Sequence, residues 1–353
     1  MQPRALVNTF TTAPLMNETN LNLPASKTPS PQGRQTPLAM MMAAALSLLT
    51  GCATTRPGPA QPLADTSAER DHTVQLQIFL DSQHFGPGVV DGKGGEFTTK
   101  ALNFYRQAKG LRPEEQPDVS SIDPYTTYTI REDDLKVLGT MGSTPAEIAG
   151  QARQPYTSLK ELLAERFHTT QAFVTRLNPG VNIDALTAGA LVKVPNVGHP
   201  FHADTFPSDY PKHAVAAGLT RHVQVDIHTR MLQVLDGDQI AAAFPITPGS
   251  SDHPAPLGEW KVVGAVPWPW YRYDEGVLDH GERTATFFNL PPGVNNPVGI
   301  LWTGLNHPGV GIHGTPNPET IGRAGSHGCI RLANWDAAAF YAYVQKGMQV
   351  TIQ

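Results

Sequence analysis

The sequence predicts a mainly β domain over residues 221–353, an antiparallel sandwich or barrel with one late helix. A small helical domain over 73–111 and a small α+β module over 125–197 precede it. Three observations predict this arrangement. From Arg221 onward, short stretches alternate apolar and polar residues without the helices that βαβ order would need. Residues 73–110 hold two apolar segments joined by a glycine-rich turn, and residues 125–197 run strand, helix, helix, strand. A chain of 353 residues, 40% hydrophobic, has room for two or three such units. Its net charge of −5 and the lack of any basic block exclude nucleic acid as a partner. With 32 proline and 32 glycine residues, many turns and short strands are expected.

Residues 1–33 are polar, with no apolar period, and read as disordered or as an over-long start, with Met16 as a later initiator. Lys27 and Arg34 flank an apolar run, Leu38 to Leu49, that is short for a membrane span. The run ends in Leu49-Thr50-Gly51-Cys52, which resembles a bacterial lipobox. That resemblance implies cleavage before Cys52 and a lipid anchor on it; the alternative is an ordinary secretory signal with a chance cysteine. Ala53 in place of aspartate implies the outer membrane of a Gram-negative cell, with the protein facing the periplasm. Residues 53–72, rich in Pro, Ala, Thr and charge, read as a linker.

Thr73–Asp81 carries Val74, Leu76, Ile78, Phe79 and Leu80 and predicts a short buried helix. Gly86-Pro87-Gly88 and Asp91-Gly92 mark a tight connection. Thr98 is placed to cap a second helix, with Ala101, Leu102, Phe104 and Tyr105 inside and Gly110 as its stop. This pair, with Val90-Asp91-Gly92 between, resembles the small peptidoglycan-binding domain of bacterial wall enzymes; a helical hairpin without a ligand is the alternative. Further on, Pro113 to Pro124 is loop-like and Tyr125 to Ile130 alternates weakly. Helices follow over 159–167 and 170–177, then a turn at Asn178-Pro179-Gly180 and a strand ending Leu191-Val192-Lys193-Val194-Pro195. This order resembles a degenerate LysM module, which implies binding to N-acetylglucosamine chains. Ser158-Leu159-Lys160 stands where that family has Gly-Asp-Thr, so a spacer role stays open.

Residues 198–220 connect. His199, His202 and His213, like His253, His280 and His307 further on, lack ligand spacing and read as surface or loop residues, so no metal is expected. In the β domain, Val223, Val225 and Ile227 alternate, as do Leu232 and Val234, and Asp236-Gly237-Asp238 signals a hairpin. Ile240–Ile246, Trp260–Val266 and Ile300–Trp302 read as further strands. Asn334 is placed to cap a helix from Trp335 to Lys346, with Ala338, Phe340, Tyr341 and Val344 inward and Gly347 ending it. Met348, Val350 and Ile352 make a closing strand.

The reactive residues gather near the C-terminus, in Gly311-Ile312-His313-Gly314-Thr315 and Ser326-His327-Gly328-Cys329-Ile330-Arg331-Leu332. A thiol attacks a carbonyl as thiolate, and imidazole is its usual activator. His313 and His327 both qualify, and the residues alone do not choose between them. Gly328 removes the side chain beside the thiol, where the N–H groups of Gly328 and Cys329 can face a developing oxyanion. A zinc site of His313, His327 and Cys329 is a further reading of the same residues.

His313-Gly314 followed by Ser326-His327-Gly328-Cys329-Ile330-Arg331 resembles the active-site signature of the L,D-transpeptidase (YkuD-like) catalytic domain, and the likeness extends back to roughly residue 221. Thr247-Pro248-Gly249 and Pro256-Leu257-Gly258-Glu259-Trp260 also fit that family. The resemblance implies an antiparallel sandwich or barrel, with Cys329 as nucleophile and His313 as proton acceptor and donor. It further implies that Gly314 orients His313 through its main chain. His327 then supports the site, while Ser326 and Arg331 shape the loop and hold substrate. Trp270 and Tyr271, in the Pro267–Tyr273 loop, are implied to overlie the substrate groove; plugging the sheet edge is the alternative. The implied reaction forms a thioester with a peptidoglycan tetrapeptide stem, releases D-alanine and passes the acyl group to an amine or water. No cofactor is implied. The rival readings are a non-catalytic wall-binding lipoprotein and a thiol protease, amidase or carboxypeptidase.

Overall fold

The computed structural model describes residues 67–250, 253–323 and 328–353. The leader with Cys52 and residues 53–66 of the expected linker lie outside the described residues. Helix α1 (Ser67–Ser82) begins ahead of Thr73 and takes up the end of that linker, burying Val74, Gln77, Ile78 and Leu80. Helix α2 (Glu96–Lys109) stops at Gly110, whose left-handed φ of 64° turns its N–H onto the Arg106 and Gln107 carbonyls. Thr98 is not its cap. Gly95 holds that position without a side-chain bond, and Thr98 is buried, its hydroxyl accepting from Gln77 and donating to the Pro87 carbonyl. Gln77 also accepts from the N–H groups of Asp91 and Gly92, which fastens the turn to α1.

In the α+β module, β1 (Tyr125–Thr129) pairs antiparallel with β2 (Leu191–Pro195). Two short helices, α3 (Glu132–Lys136) and α4 (Pro145–Ala149), precede the expected pair α5 (Leu159–Arg166) and α6 (Gln171–Leu177). Five residues each are too few to show an apolar period, so neither helix was expected. Ser158 and Thr170 cap α5 and α6 through their hydroxyls. Asn178 ties α6 to β2, donating to the Val174 and Lys193 carbonyls and accepting from the Lys193 N–H.

The β domain carries β3 (Arg221–Asp226), β4 (Met231–Asp236), β5 (Gln239–Pro245), β6 (Gly258–Pro267) and β7 (Tyr271–Tyr273). Helix α7 (Glu275–His280), β8 (Phe288–Leu290), β9 (Leu301–Leu305), β10 (Gly311–His313), β11 (Ile330–Arg331), α8 (Asn334–Tyr341) and β12 (Gln349–Ile352) follow. Eight strands form one sheet in the order β11-β10-β9-β6-β12-β3-β4-β5, and β7 with β8 forms a separate pair. The large sheet is mainly antiparallel, as expected, with two parallel pairings, β12 with β3 and β10 with β11. It also curls on itself. Just past β5, Thr247 exchanges two backbone hydrogen bonds, 3.0 and 2.9 Å, with Arg331 of β11, so the two ends of the strand order meet. Val223, Val225, Leu232, Val234 and Phe244 meet Ala337, Ala338 and Phe340 of α8 in one core. The same core takes in Leu159, Leu162 and Val194 of the α+β module.

That module is fastened to the β domain at two places. Gln154 bridges to Gly293, and its N–H and side-chain amide donate to the Pro292 and Pro291 carbonyls at 2.9 and 2.7 Å. Deeper, Asn334 donates to the buried Glu165 at 2.7 Å, and Tyr156 donates to its other oxygen. Burial pushes the Glu165 carboxyl up to about 7. A folded value above the ordinary 4.5 means that its stabilising share is full below 4.5 and is lost as pH rises through 7. Glu165→Gln is expected to remove up to about 3 kcal/mol of that decline. Urea denaturation at acid and mildly alkaline pH measures it; an unchanged pH slope would refute it.

Candidate active site

The curl of the sheet decides what stands next to what. In the register of β9 and β10, His313 lies opposite Trp302. In that of β10 and β11, His313 lies alongside Arg331. One step back along each strand, Ile312 pairs with Ile330; a further step sets Cys329 beside Gly311, whose backbone hydrogen-bonds the sulfur. Alternate residues of a strand share a face, so Gly311 and His313 look the same way, as do Cys329 and Arg331. Thiol, imidazole and guanidinium therefore share one face where the sheet closes.

His313 is 4% exposed. Its Nδ1 lies 2.6 Å from the Gly314 carbonyl oxygen. A carbonyl only accepts, so Nδ1 carries the proton and Nε2 is left as a base. The Trp302 ring stacks on the imidazole at 5.5 Å and fixes its plane. Gly311 makes room for that ring: a Cβ there would lie 2.8 Å from both Trp302 and the Thr303 carbonyl. Burial pushes His313 down to about 4; the Gly314 carbonyl resists this and Arg331 adds to it. A histidine lowered from 6.5 stabilises the fold fully above 6.5, and that share is lost as pH falls through 4. His313→Gln is expected to flatten the acid limb of the stability curve by about 3 kcal/mol between those values. Denaturant titrations across that range check it.

Cys329 is half-buried, with its S–H donating to the Gly309 carbonyl at 3.5 Å. Burial raises the thiol, while the Gly311 backbone and Arg331 draw it down. Gly328 holds φ at 92°, a left-handed conformation that favours glycine. Ser326 and His327 lie outside the described residues. Three of the four aromatic residues of the Pro267–Tyr273 loop take different places. Tyr271 sits near the thiol, its phenol raised by burial and then by Cys329. Trp270 is 62% exposed. Trp268 plugs the core, donating to the Phe206 carbonyl at 3.0 Å.

Two residues that matter here were not read from the sequence as part of the site. Trp302 read only as part of a strand, and its place over His313 depends on a strand pairing that no local pattern reveals. Asn334 was expected to cap α8. Instead Ala333 is the cap, and the Asn334 side chain accepts from the Ile300 N–H at 3.3 Å while donating to Glu165 and the Val294 carbonyl. Its Oδ1 lies just behind Gly314. Among the described residues, no group of three His, Cys, Asp or Glu is placed to hold a metal ion, and no helix is long and apolar enough to cross a membrane.

Fold and site together define a curled-sheet domain with a thiol and an imidazole on neighbouring strands at its closure. Residues 220–352 match the L,D-transpeptidase catalytic domain (YkuD). The YkuD protein of Bacillus licheniformis, whose name places it provisionally among the L,D-transpeptidases, is 28% identical over 192 residues, 54% of this chain and 92% of its own. The Bacillus subtilis YkuD protein is 26% identical over 190 residues, 54% of this chain and 90% of its own. Among solved structures, an Enterococcus faecium L,D-transpeptidase is 21% identical with a TM-score of 0.29, covering 38% of this chain. The match spans 50% of that enzyme's length. An L,D-transpeptidase from Mycobacterium smegmatis is 20% identical with a TM-score of 0.31, covering 48% of this chain and 75% of its own.

Proposed function

We propose that this chain is a peptidoglycan L,D-transpeptidase that works through a thioester on Cys329. The observation that carries the reading is the Nδ1 of His313 committed to the Gly314 carbonyl, which leaves Nε2 as the base on the face shared with Cys329. With His313 held low and Cys329 held high, the resting pair is a neutral thiol and a neutral imidazole. The thiol proton passes to His313 as sulfur attacks the carbonyl carbon of the donor stem. The N–H groups of Gly328 and Cys329 face the oxyanion. Collapse breaks the C–N bond, and His313 returns the proton to the departing D-alanine amine. An acceptor amine then attacks the thioester, loses a proton to His313, and releases the thiol, which takes that proton back.

The family resemblance supports tetrapeptide stems as donors. The front modules support binding to glycan, and the lipobox-like segment supports a lipid on Cys52 and a place in the cell envelope facing the periplasm. Incubating the soluble chain from residue 53 with disaccharide-tetrapeptide tests the reading by product mass. Dimers with loss of D-alanine are expected. Tripeptide alone would make it a carboxypeptidase, turnover of ordinary L,L-peptides an amidase, and unchanged substrate a binding protein.

A further inference from the structure

The catalytic-domain match covers residues 220–352, yet a side chain that bears on its imidazole comes from outside that range. Glu165 lies in the last turn of α5, in the α+β module. It is 6% exposed, and its partner Asn334 is fully buried. Every polar position of the Asn334 amide is taken. Nδ2 donates to Glu165 at 2.7 Å and to the Val294 carbonyl at 3.2 Å, while Oδ1 accepts from the Ile300 N–H at 3.3 Å. An amide turned end for end keeps its shape, so only its partners fix which end is oxygen. Glu165 is the nearer of the two acceptors and the only one able to carry charge, which makes its bond the stronger.

What this amide holds is the Gly314 peptide. A Cβ on Gly314 would lie 2.2 Å from Oδ1 of Asn334. A Cβ on Gly299 would lie 2.2 Å from the same oxygen and 2.5 Å from the Gly314 carbonyl carbon. Asn334 and Gly299 therefore brace one peptide between them, and its carbonyl oxygen takes the proton of His313 Nδ1 at 2.6 Å. The second oxygen of Glu165 accepts from the buried Tyr156 hydroxyl, so the carboxyl is itself anchored within the module. The line runs from Tyr156 through Glu165, Asn334 and Gly314 to His313. Each link is a hydrogen bond except the close packing of Asn334 on Gly314. A buried carboxyl is a costly way to join two surfaces that Leu159, Leu162 and Val194 already join through one apolar core. Its use here calls for a role beyond adhesion.

We propose that Glu165 is a positioning residue for the reaction: through Asn334 it fixes the Gly314 carbonyl and with it the tautomer and aim of His313, which makes the α+β module a part of the active site. The proposal rests on the reading of His313 as the base and adds the module's share in holding it. The readout is the Nδ1–H resonance of His313 in the isotope-labelled full chain, assigned with His313→Gln. Glu165→Met, similar in size and unable to accept from Asn334, should move that resonance upfield or lose it to solvent exchange. It should also lower kcat by about tenfold or more, with KM changed by less than about twofold. Glu165→Gln, whose carbonyl can accept from Asn334 while its amide donates to Tyr156, should restore the resonance and most of kcat. Glu165→Asp, which keeps the acid but draws it back by one methylene, should act as Glu165→Met does and serves where that variant does not fold. Gln154→Ala removes the module's side-chain bond to the Pro291 carbonyl and should leave the resonance in place. A resonance unmoved in Glu165→Met or Glu165→Asp, one moved as far in Glu165→Gln or Gln154→Ala, or a displaced resonance with parental kcat would each overturn the proposal. The resonance needs no substrate, so a parent chain without acyl transfer would remove the reading of Cys329 while the test of Glu165 is still read.

Discussion

Cys329→Ala should abolish acyl transfer, lowering its rate by at least about 10^4-fold, while the chain still folds. The thiol lies on the face that carries His313 and Arg331, and nothing in the proposed step replaces it. Its removal costs the fold little, because it is only half-buried and stands just before the two-residue strand β11 rather than in the core. Mass spectrometry after carbapenem treatment gives the companion measurement: an adduct on the parent chain and none on Cys329→Ala. Transfer that survives in the variant would move the nucleophile elsewhere and dismantle the proposed function.

Gly314→Ala is expected to lower activity by about 10^2–10^3-fold and stability by about 2–4 kcal/mol. A Cβ at this position would lie 2.2 Å from Oδ1 of Asn334 and 3.2 Å from the Ile300 nitrogen. A mobile side chain could swing away. Asn334 is fully buried and held by Ile300, Glu165 and Val294, so it cannot move without leaving several polar groups unpaired. The strain must then fall on the Gly314 peptide, whose carbonyl holds the proton of His313 Nδ1. A kcat loss with a smaller change in KM, together with a lower denaturation midpoint, is the expected pattern. A variant that matches the parent in both would show that Gly314 does not support the imidazole.

What could be read along the chain and what could not divide by range. Residues 311–315 and 328–331 carry a spacing that survives in one dimension, so the expectation placed on them could be drawn from the sequence, and the strands near Val223 and Val234 showed their alternation. Helix stops such as Gly110 were legible because a left-handed residue is a local event. The failures were non-local. Thr98 and Asn334 looked like caps because their types suit caps, yet both side chains are taken by distant partners, Gln77 in one case and Glu165 in the other. The parallel pairing of β12 with β3 joins opposite ends of the domain and leaves no local trace. The loop histidines at 199, 202 and 213 looked scattered because only the folded chain gathers them with His84 and His168 around one cavity.

The meeting of Thr247 with Arg331 bears on how the reactive end of the molecule withstands handling of its substrate. A nucleophile borne on a loop usually sits on the softest part of an enzyme. Here the residue two places past the sulfur is laced to a neighbour on either side, one strand having left the sheet early in the domain and the other late. Peeling that segment outward would mean unfastening a hoop rather than lifting a flap. The sulfur, two places before Arg331, then stays where the closed wall puts it.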